Sequence, residues 1–250
     1  MSGRAVLITG SSRGIGAAIA ASFAADGDRV AVHYRSGRTD AEAVLAGLPG
    51  GGHTLVQADV ADADAVHRMV EEAAEALGGI DVLVNNAAVF REHRISEVDY
   101  ATWRAEWRQT LETNLLGPAN VTFCAVPHLR RSGVGRVVNV SSRGAFRGEP
   151  NGPAYGASKA GLNAFGQSMA VALAPYGIAV ATVAPGFVET AMARQAMGGQ
   201  RAAEVRAQSP FNRVARVDEI AAAVRYLASP EAEWASGSVL DLNGASYLRT

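Results

Sequence analysis

A single doubly wound α/β domain over residues 1–250, Rossmann-type, with a mostly parallel sheet of about seven strands, is the fold this sequence predicts. Three observations predict it. Short runs rich in Val and Ile alternate with helix-length segments along the whole chain. Several runs are apolar almost throughout, as strands buried on both faces must be. A glycine-rich turn joins the first run to the first helical pattern.

The strand runs are 5–9, 29–34, 54–60, 80–85, 136–141, 178–183 and 239–242. After the glycine turn Ile15, Ile19 and Phe23 recur every four residues, one face of a helix. Val66, Met69, Val70, Ala73 and Leu77 recur at threes and fours. Asp62 and Asp64 stand near the start of that second pattern, where negative charge suits the positive end of a helix dipole. Residues 96–131 are expected to hold one or two helices, with Trp103 and Trp107 on one face as a core or subunit contact. Residues 191–216 differ: they carry Gly198 and Gly199, several Arg and Gln, and little periodicity. Coming just after a strand end, they are expected to form a lid over a pocket. No linker, low-complexity tract or internal repeat divides the chain.

Composition narrows the function classes. Of 250 residues 48% are hydrophobic, enough for a substantial core. A net charge of −1 and a pI near 6.5 argue against a nucleic-acid partner, which wants a basic stripe. Arg91, Arg94, Arg104 and Arg108 cluster, but acidic residues are mixed among them, so they read as a solvated helix face. One cysteine, Cys124, excludes an internal disulfide framework and a thiolate zinc cluster, and no metal is expected. Its apolar neighbours make it a small buried hydrophobe rather than a nucleophile. The N-terminus lacks the pattern of a signal peptide, and no apolar run is long enough to span a bilayer. A soluble cytoplasmic protein without a membrane partner is expected.

Gly10, Gly14 and Gly16 follow a strand and open a helix. Glycine lets backbone turn tightly and approach a pyrophosphate, and the helix start offers free N–H groups and partial positive charge. The spacing G-x-x-x-G-x-G differs from the commoner G-x-G-x-x-G, but the strand–turn–helix setting points to a dinucleotide. An acidic residue ending the second strand would hydrogen-bond an adenosine ribose and repel a 2′-phosphate. Here Arg35 and Ser36 end it, Arg38 follows closely, and Arg13 lies in the glycine turn. Guanidinium groups suit a phosphate, so NADP(H) is the expected cofactor, with NAD(H) as the alternative.

Tyr155 and Lys159 stand four apart, one turn on the same face of a helix. A free phenol near pKa 10 is poorly matched to proton transfer at neutrality. An ammonium about 5 Å away, at an effective dielectric near 20, would favour the phenolate by roughly 3 kcal/mol, about two pKa units. An oxidised nicotinamide nearby would push the same way. Ser142 lies thirteen residues before the tyrosine at a strand end, where open parallel sheets bind ligands. Its hydroxyl can donate to a carbonyl oxygen as hydride arrives. The adjacent Ser141 is the residue it could be confused with.

With these residues in order, the chain resembles the short-chain dehydrogenase/reductase family over essentially its whole length. Gly10, Ser12, Arg13, Gly14, Ile15 and Gly16 match the family's cofactor turn. Asp59 and Val60 match the pair bordering the adenine, and Asn85, Asn86, Ala87 and Ala88 the motif after the fourth strand. Asn114, Ser142, Tyr155 and Lys159 match the catalytic set; Pro185, Gly186, Val188 and Thr190 match the stretch at the nicotinamide. The resemblance implies that Lys159 also hydrogen-bonds the nicotinamide ribose and that Asn114 anchors a water in a proton relay. Asn86 is left with two readings, cofactor contact or a tie between strands. Ala88 departs from the family's usual glycine. The four-residue spacing differs from the longer spacing of enoyl reductases in the same superfamily, and the chain is too short for the branch holding sugar epimerases.

The implied reaction is hydride transfer between NADP(H) and a carbonyl or secondary alcohol, as in 3-oxoacyl-thioester reductases, with a sugar or polyol dehydrogenase as the alternative. A non-catalytic cofactor sensor is the remote alternative, and an intact Asn–Ser–Tyr–Lys set has no obvious use there. The resemblance further implies a homotetramer, with residues 237–244 near a subunit boundary.

Overall fold

The computed structural model describes residues 3–190 and 199–249. Seven strands form one sheet: β1 (Ala5–Ile8), β2 (Arg29–Tyr34), β3 (Thr54–Gln57), β4 (Val82–Asn85), β5 (Arg136–Val140), β6 (Ala179–Pro185) and β7 (Val239–Leu242). Their order is β3-β2-β1-β4-β5-β6-β7, and every pairing is parallel. β1 lies between β2 and β4, with Ile8 beside Val32 on one side and Val84 on the other. The strand order reverses there. Connections leaving β1 and β4 diverge, opening a crevice at the carboxyl ends of the strands.

The side-chain period of two divides the core. Val6, Ile8, Val30, Val32, Val82 and Val84 pack on one face against α1 (Gly14–Ala25), α2 (Arg38–Gly47) and the later helix α9 (Val217–Leu227). Leu7, Ala31, Val56, Leu83, Val137 and Val180 face the other layer. That layer includes α3 (Ala63–Leu77) and α5 (Gly117–Ser132). Both faces are covered, so the strands carry almost no polar alternation.

The helix signals in the sequence have local causes. Asp62 caps α3, its carboxylate accepting from Ala65 N at 3.0 Å, and Gly78 ends the helix at φ 75°. Residues 96–131 hold α4 (Tyr100–Leu111), a π-helical turn over Glu112–Leu116, and then α5. The Trp103 and Trp107 rings lie 5.7 Å apart, with His93 edge-on to Trp103 at 5.6 Å. The short α6 (Gly144–Arg147) follows β5, and α7 (Pro153–Leu173) carries Tyr155 and Lys159. Gly166 lets α7 press close to the sheet: a side-chain carbon there would stand 2.9 Å from Asn139 Nδ2 and 3.0 Å from Thr182 Oγ1.

Strand limits differ from the sequence expectation for visible reasons. β3 stops at Gln57 because Asp59 turns the chain, its carboxylate accepting from Ala61 N and its carbonyl from Asp62 N. β4 begins at Val82 because the Asp81 carboxylate takes the Ala5 N–H at 2.7 Å. β6 instead runs on through Pro185.

Of the expected lid, residues 191–198 lie outside the described residues. The rest contains α8 (Gly199–Ala207), and its end is anchored. Ser209 Oγ donates to Gly244 O, while Ala215 exchanges backbone hydrogen bonds with Phe187 and Glu189. In the arginine cluster Arg91, Arg94 and Arg108 pair with Glu106, Glu97 and Glu112, and Arg104 lies over Tyr100. Cys124 is half-buried against the α3–α5 layer, where burial pushes its thiol pKa up. Among the described residues no helix is long and apolar enough to cross a membrane.

Candidate active site

The glycine turn fills the crevice floor between β1 and α1. Gly10 and Gly14 take φ values of 66° and 58°, which side-chain-bearing residues rarely adopt. Gly16 is required by proximity: a side-chain carbon there would stand 2.4 Å from Gly10 O and 2.6 Å from Asn86 Nδ2. α1 begins with no side-chain cap and no acidic residue in its first turn, which leaves its positive end open to an anion. Ile15 packs against the core; Arg13 is exposed and Ser12 half-buried at the turn. Across the crevice Thr190 Cγ2 lies 3.5 Å from the position a side-chain carbon on Gly14 would take. The stretch after β6 therefore meets the glycine turn. Gly186 N donates to Leu242 O at 3.0 Å, and buried Val188 pairs with Ala215.

The other cofactor positions separate into rim and interior. Arg35 and Ser36 are exposed at the end of β2. Asp59, half-buried on the β3 loop, brings a carboxylate within 3.9 Å of the Arg35 guanidinium, a neighbour the sequence did not reveal. Val60 is buried beside Gly117. Arg38 pairs with Glu42 at 2.8 Å. Asn85 faces inward, donating to Thr122 Oγ1 and Asn139 Oδ1, both at 3.0 Å, so its amide supports the sheet interior. Asn86 Nδ2 donates to the carbonyls of Thr9 (2.9 Å) and Gly10 (3.0 Å), and Thr9 Oγ1 accepts from the N–H groups of Asn86 and Ala87. Of the two readings of Asn86, its hydrogen bonds match the tie between β1 and β4. Ala87 packs directly against Gly10.

Ser142, Tyr155 and Lys159 come together where β5 ends under α7. The β5–β6 ladder continues past the strands through Ser141 N to Val183 O and Arg143 N to Pro185 O, which sets Ser142 beside the Pro185–Gly186 corner. Ser142 Oγ accepts from Gly144 N at 3.0 Å, and its hydroxyl stands close enough to the Tyr155 phenol to pull that group's pKa down. Ser141 Oγ turns the other way and donates to Lys159 O at 3.2 Å. Lys159 is 2% exposed; its Nζ donates to Val140 O at 2.8 Å and lies 5.8 Å from the Tyr155 ring centre. Asn114 lies in the π-helical turn, a departure from α-geometry that often marks functional sites. Its side chain accepts from Val89 N (2.8 Å) and donates to Val89 O (2.9 Å) and Ser158 Oγ (3.1 Å), while Ser158 donates to Tyr155 O. Asn114 thus joins the β4 loop to the helix bearing the tyrosine.

One expectation about charge is corrected. Instead of being acidified by Lys159, the Tyr155 phenol is pushed up to about 12, chiefly by burial, with the Ser142 hydrogen bond pulling down and Glu149 pushing up. Burial also lowers Lys159 to about 8. The pair shares one desolvated seam, and loss of water outweighs attraction at this separation.

Three residues went unnoticed in the sequence. His33, in β2, accepts from Gly10 N through Nδ1 at 2.8 Å. It was the one imidazole in an apolar strand run, which was the available signal. His93 Nε2 accepts from Ala154 N in the first turn of α7, and Phe90 stands edge-on to Tyr155 with ring centres 5.2 Å apart. No motif announced these two, because both lie in an irregular loop.

Comparison with known proteins sets this geometry in a family. A family model described as "Enoyl-(Acyl carrier protein) reductase" matches residues 10–244. The 3-oxoacyl-[acyl-carrier-protein] reductase FabG of Staphylococcus aureus is 36% identical over 247 residues, covering 98% of each chain. A crystallised short-chain dehydrogenase from Burkholderia cenocepacia in complex with NADP superposes with a TM-score of 0.88 at 36% identity, covering 98% of both chains. A Brucella melitensis protein described as a short-chain dehydrogenase/reductase of glucose/ribitol dehydrogenase type reaches 0.90 at 30% identity, covering 98% of this chain and 97% of that one. The parallel seven-stranded sheet fits that setting: the chain is a member of the short-chain dehydrogenase/reductase family and an oxidoreductase acting on carbonyl and CH–OH groups.

Proposed function

We propose that this oxidoreductase uses NADPH to reduce a ketone, with 3-oxoacyl thioesters as the substrate class. The observation that carries this reading is the placing of Tyr155, Lys159 and Ser142 in one seam, with Lys159 Nζ 5.8 Å from the Tyr155 ring centre and the Ser142 hydroxyl close enough to pull the phenol's pKa down. Two hydroxyls converge on a point where one substrate oxygen can sit. A bound nicotinamide would supply the hydride, and the chain supplies the rest. Ser142, its oxygen oriented by Gly144 N–H, donates toward the substrate oxygen as negative charge grows there. Tyr155 gives its proton to that oxygen. Lys159 and Asn114 would serve the refilling of that proton, and Lys159 and Tyr155 would hold the ribose of a bound nicotinamide.

The raised phenol favours this direction. Burial holds the phenol in its neutral acid form, the form needed for reduction, and disfavours the phenolate needed for oxidation. The names of the curated relatives agree with carbonyl reduction, whereas the family model's description names enoyl reduction. The four-residue spacing of Tyr155 and Lys159 supports the carbonyl reading. The Brucella neighbour keeps a sugar or polyol dehydrogenase as the second reading.

The glycine turn fits a dinucleotide: its open helix start and the crowding at Gly16 leave backbone, not side chains, facing the crevice. Gly10, Ser12, Arg13, Gly14, Ile15 and Gly16 would hold the phosphates, Asp59, Val60 and Ala87 would border the adenosine, and Pro185, Gly186, Val188 and Thr190 would line the nicotinamide end. Arg35 and Ser36 would receive the 2′-phosphate, with Arg35 meeting Asp59 only at 3.9 Å. We further propose a homotetramer. Phe123 on α5 and Val171 on α7 are exposed, as are Trp234, Leu240 and Leu248 near the edge strand β7, and these would be covered by partner subunits.

Four outcomes are expected. Tyr155→Phe should bind NADPH with parental affinity and lose well over tenfold in turnover; a variant within tenfold of the parent would remove the proton donor from the reading. The rate of reduction should fall above about pH 8, because Lys159 loses its proton through that region, while alcohol oxidation should rise with pH. A reduction profile that stays level to pH 10 would separate Lys159 from the proton supply. Arg35→Ala should raise the Michaelis constant for NADPH about ten- to a hundredfold, as loss of a charge-assisted contact implies, and leave that for NADH nearly unchanged. Equal efficiency of the parent with NADH would overturn the cofactor assignment. Sedimentation should show a tetramer, and a stable monomer at micromolar concentration would refute the assembly.

A further inference from the structure

His33 lies beneath the glycine turn, 2% exposed, and all four of its polar groups are engaged there or at the neighbouring strand end. Nδ1 accepts from Gly10 N at 2.8 Å. Nε2 meets Ala58 O at 3.1 Å. The backbone N–H donates to Ser11 Oγ at 2.9 Å, and the backbone carbonyl accepts from Ser11 N at 3.0 Å. Ser11 Oγ in turn donates to Ile8 O at 2.7 Å.

These partners fix the state of the ring. A nitrogen that accepts from a backbone N–H must carry a lone pair, and one facing a carbonyl must carry hydrogen. His33 is therefore the neutral Nε2–H tautomer. Burial lowers its pKa to about 4, so the ring stays neutral through the working pH range, with Asp59 the charged group acting on it.

The imidazole spans the two segments that border the adenosine end. On one side it sets the peptide plane entering Gly10, the residue at φ 66° from which the phosphate turn departs. On the other it holds Ala58, whose next residues are Asp59 and Val60, and Asp59 approaches Arg35. Two residues on, just past the end of β2, lies Arg35 itself. Among the described residues the His33 ring bonds Gly10 and Ala58, not Ser142, Tyr155 or Lys159, which stand at the end of β5 and on α7.

We infer that His33 is a positioning residue for the adenosine-phosphate half of the cofactor site, acting through its bond to Gly10 and leaving the proton chemistry at Tyr155 alone. The inference rests on the dinucleotide reading above. A residue that merely fills the core would affect both halves of the cofactor alike, or neither.

Two substitutions separate the ring's two bonds. The amide oxygen of Asn, one bond from Cγ, can replace Nδ1 as acceptor for Gly10; the longer Gln places its amide near Nε2, toward Ala58. The measurements are fluorescence titration with NADPH, calorimetric titration with 2′,5′-ADP as a probe of the adenosine half, and kcat at saturating NADPH. H33Q should bind both ligands five- to a hundredfold more weakly, the range for a buried donor left unpaired, with kcat within threefold of the parent. H33N should restore both affinities to within threefold. H33Q binding 2′,5′-ADP less than fivefold more weakly than the parent overturns the inference, as does a kcat loss equal to the affinity loss. Should H33Q fail to fold by circular dichroism, H33N decides: affinity more than fivefold below the parent overturns the inference. A parent that binds neither NADPH nor 2′,5′-ADP would refute the dinucleotide reading itself, a result distinct from any difference among variants.

Discussion

The site depends on burying the Lys159 ammonium between α7 and the end of β5. A lysine at 2% exposure has given up its hydration, and Val140 O is the hydrogen-bond acceptor its Nζ meets. Its pKa falls toward 8 because one carbonyl does not replace a shell of water. What holds it there is the seating of α7. Gly166 lets the helix lie close over Asn139 and Thr182, and Ser141 fastens the backbone of Lys159 from beneath. His93 and Asn114 fasten the start of the same helix to the β4 loop. The tyrosine is then carried into place by the helix that buries the lysine.

The same packing explains why charge did not behave as a pairwise estimate from spacing suggests. One helical turn fixes the separation of two side chains, but not the dielectric around them. With both groups at the seam, desolvation moves each toward its neutral form: up for the phenol, down for the amine. Spacing placed the two side chains on one helix face but gave the sign of the Tyr155 shift wrongly. Burial is a property of the assembled layers, to which α6, α7 and the 142–149 loop all contribute.

Other parts of the fold were legible to different depths. The β2 and β7 limits stood in the sequence as runs with sharp polar boundaries, and the α3 face with its Asp62 cap was equally plain. The carboxyl end of β3 was not, because 58–60 is apolar enough to continue a strand, and the turn that ends it is made by Asp59's own carboxylate. The π-helical turn around Asn114 left no compositional trace. Asn85 and Asn86 shared a motif yet took separate tasks. Successive residues of a strand end face opposite ways, one amide into the sheet interior and the other onto the glycine turn.

The choice between reducing a carbonyl and reducing a carbon–carbon double bond turns on where the proton must go. In carbonyl reduction hydride reaches the carbon and the proton goes to the adjoining oxygen, so two hydroxyl donors aimed at one point suffice. In enoyl reduction the final proton must reach a carbon two bonds from that oxygen. Ser142 is set for the first place: its oxygen is held by Gly144 N–H at the β5 corner, beside the Tyr155 phenol. A phenol pushed to about 12 is well suited to the first task, since an alkoxide is a far stronger base than the phenolate left behind. The carbonyl reading therefore follows from the convergence of donors as well as from the four-residue interval between tyrosine and lysine.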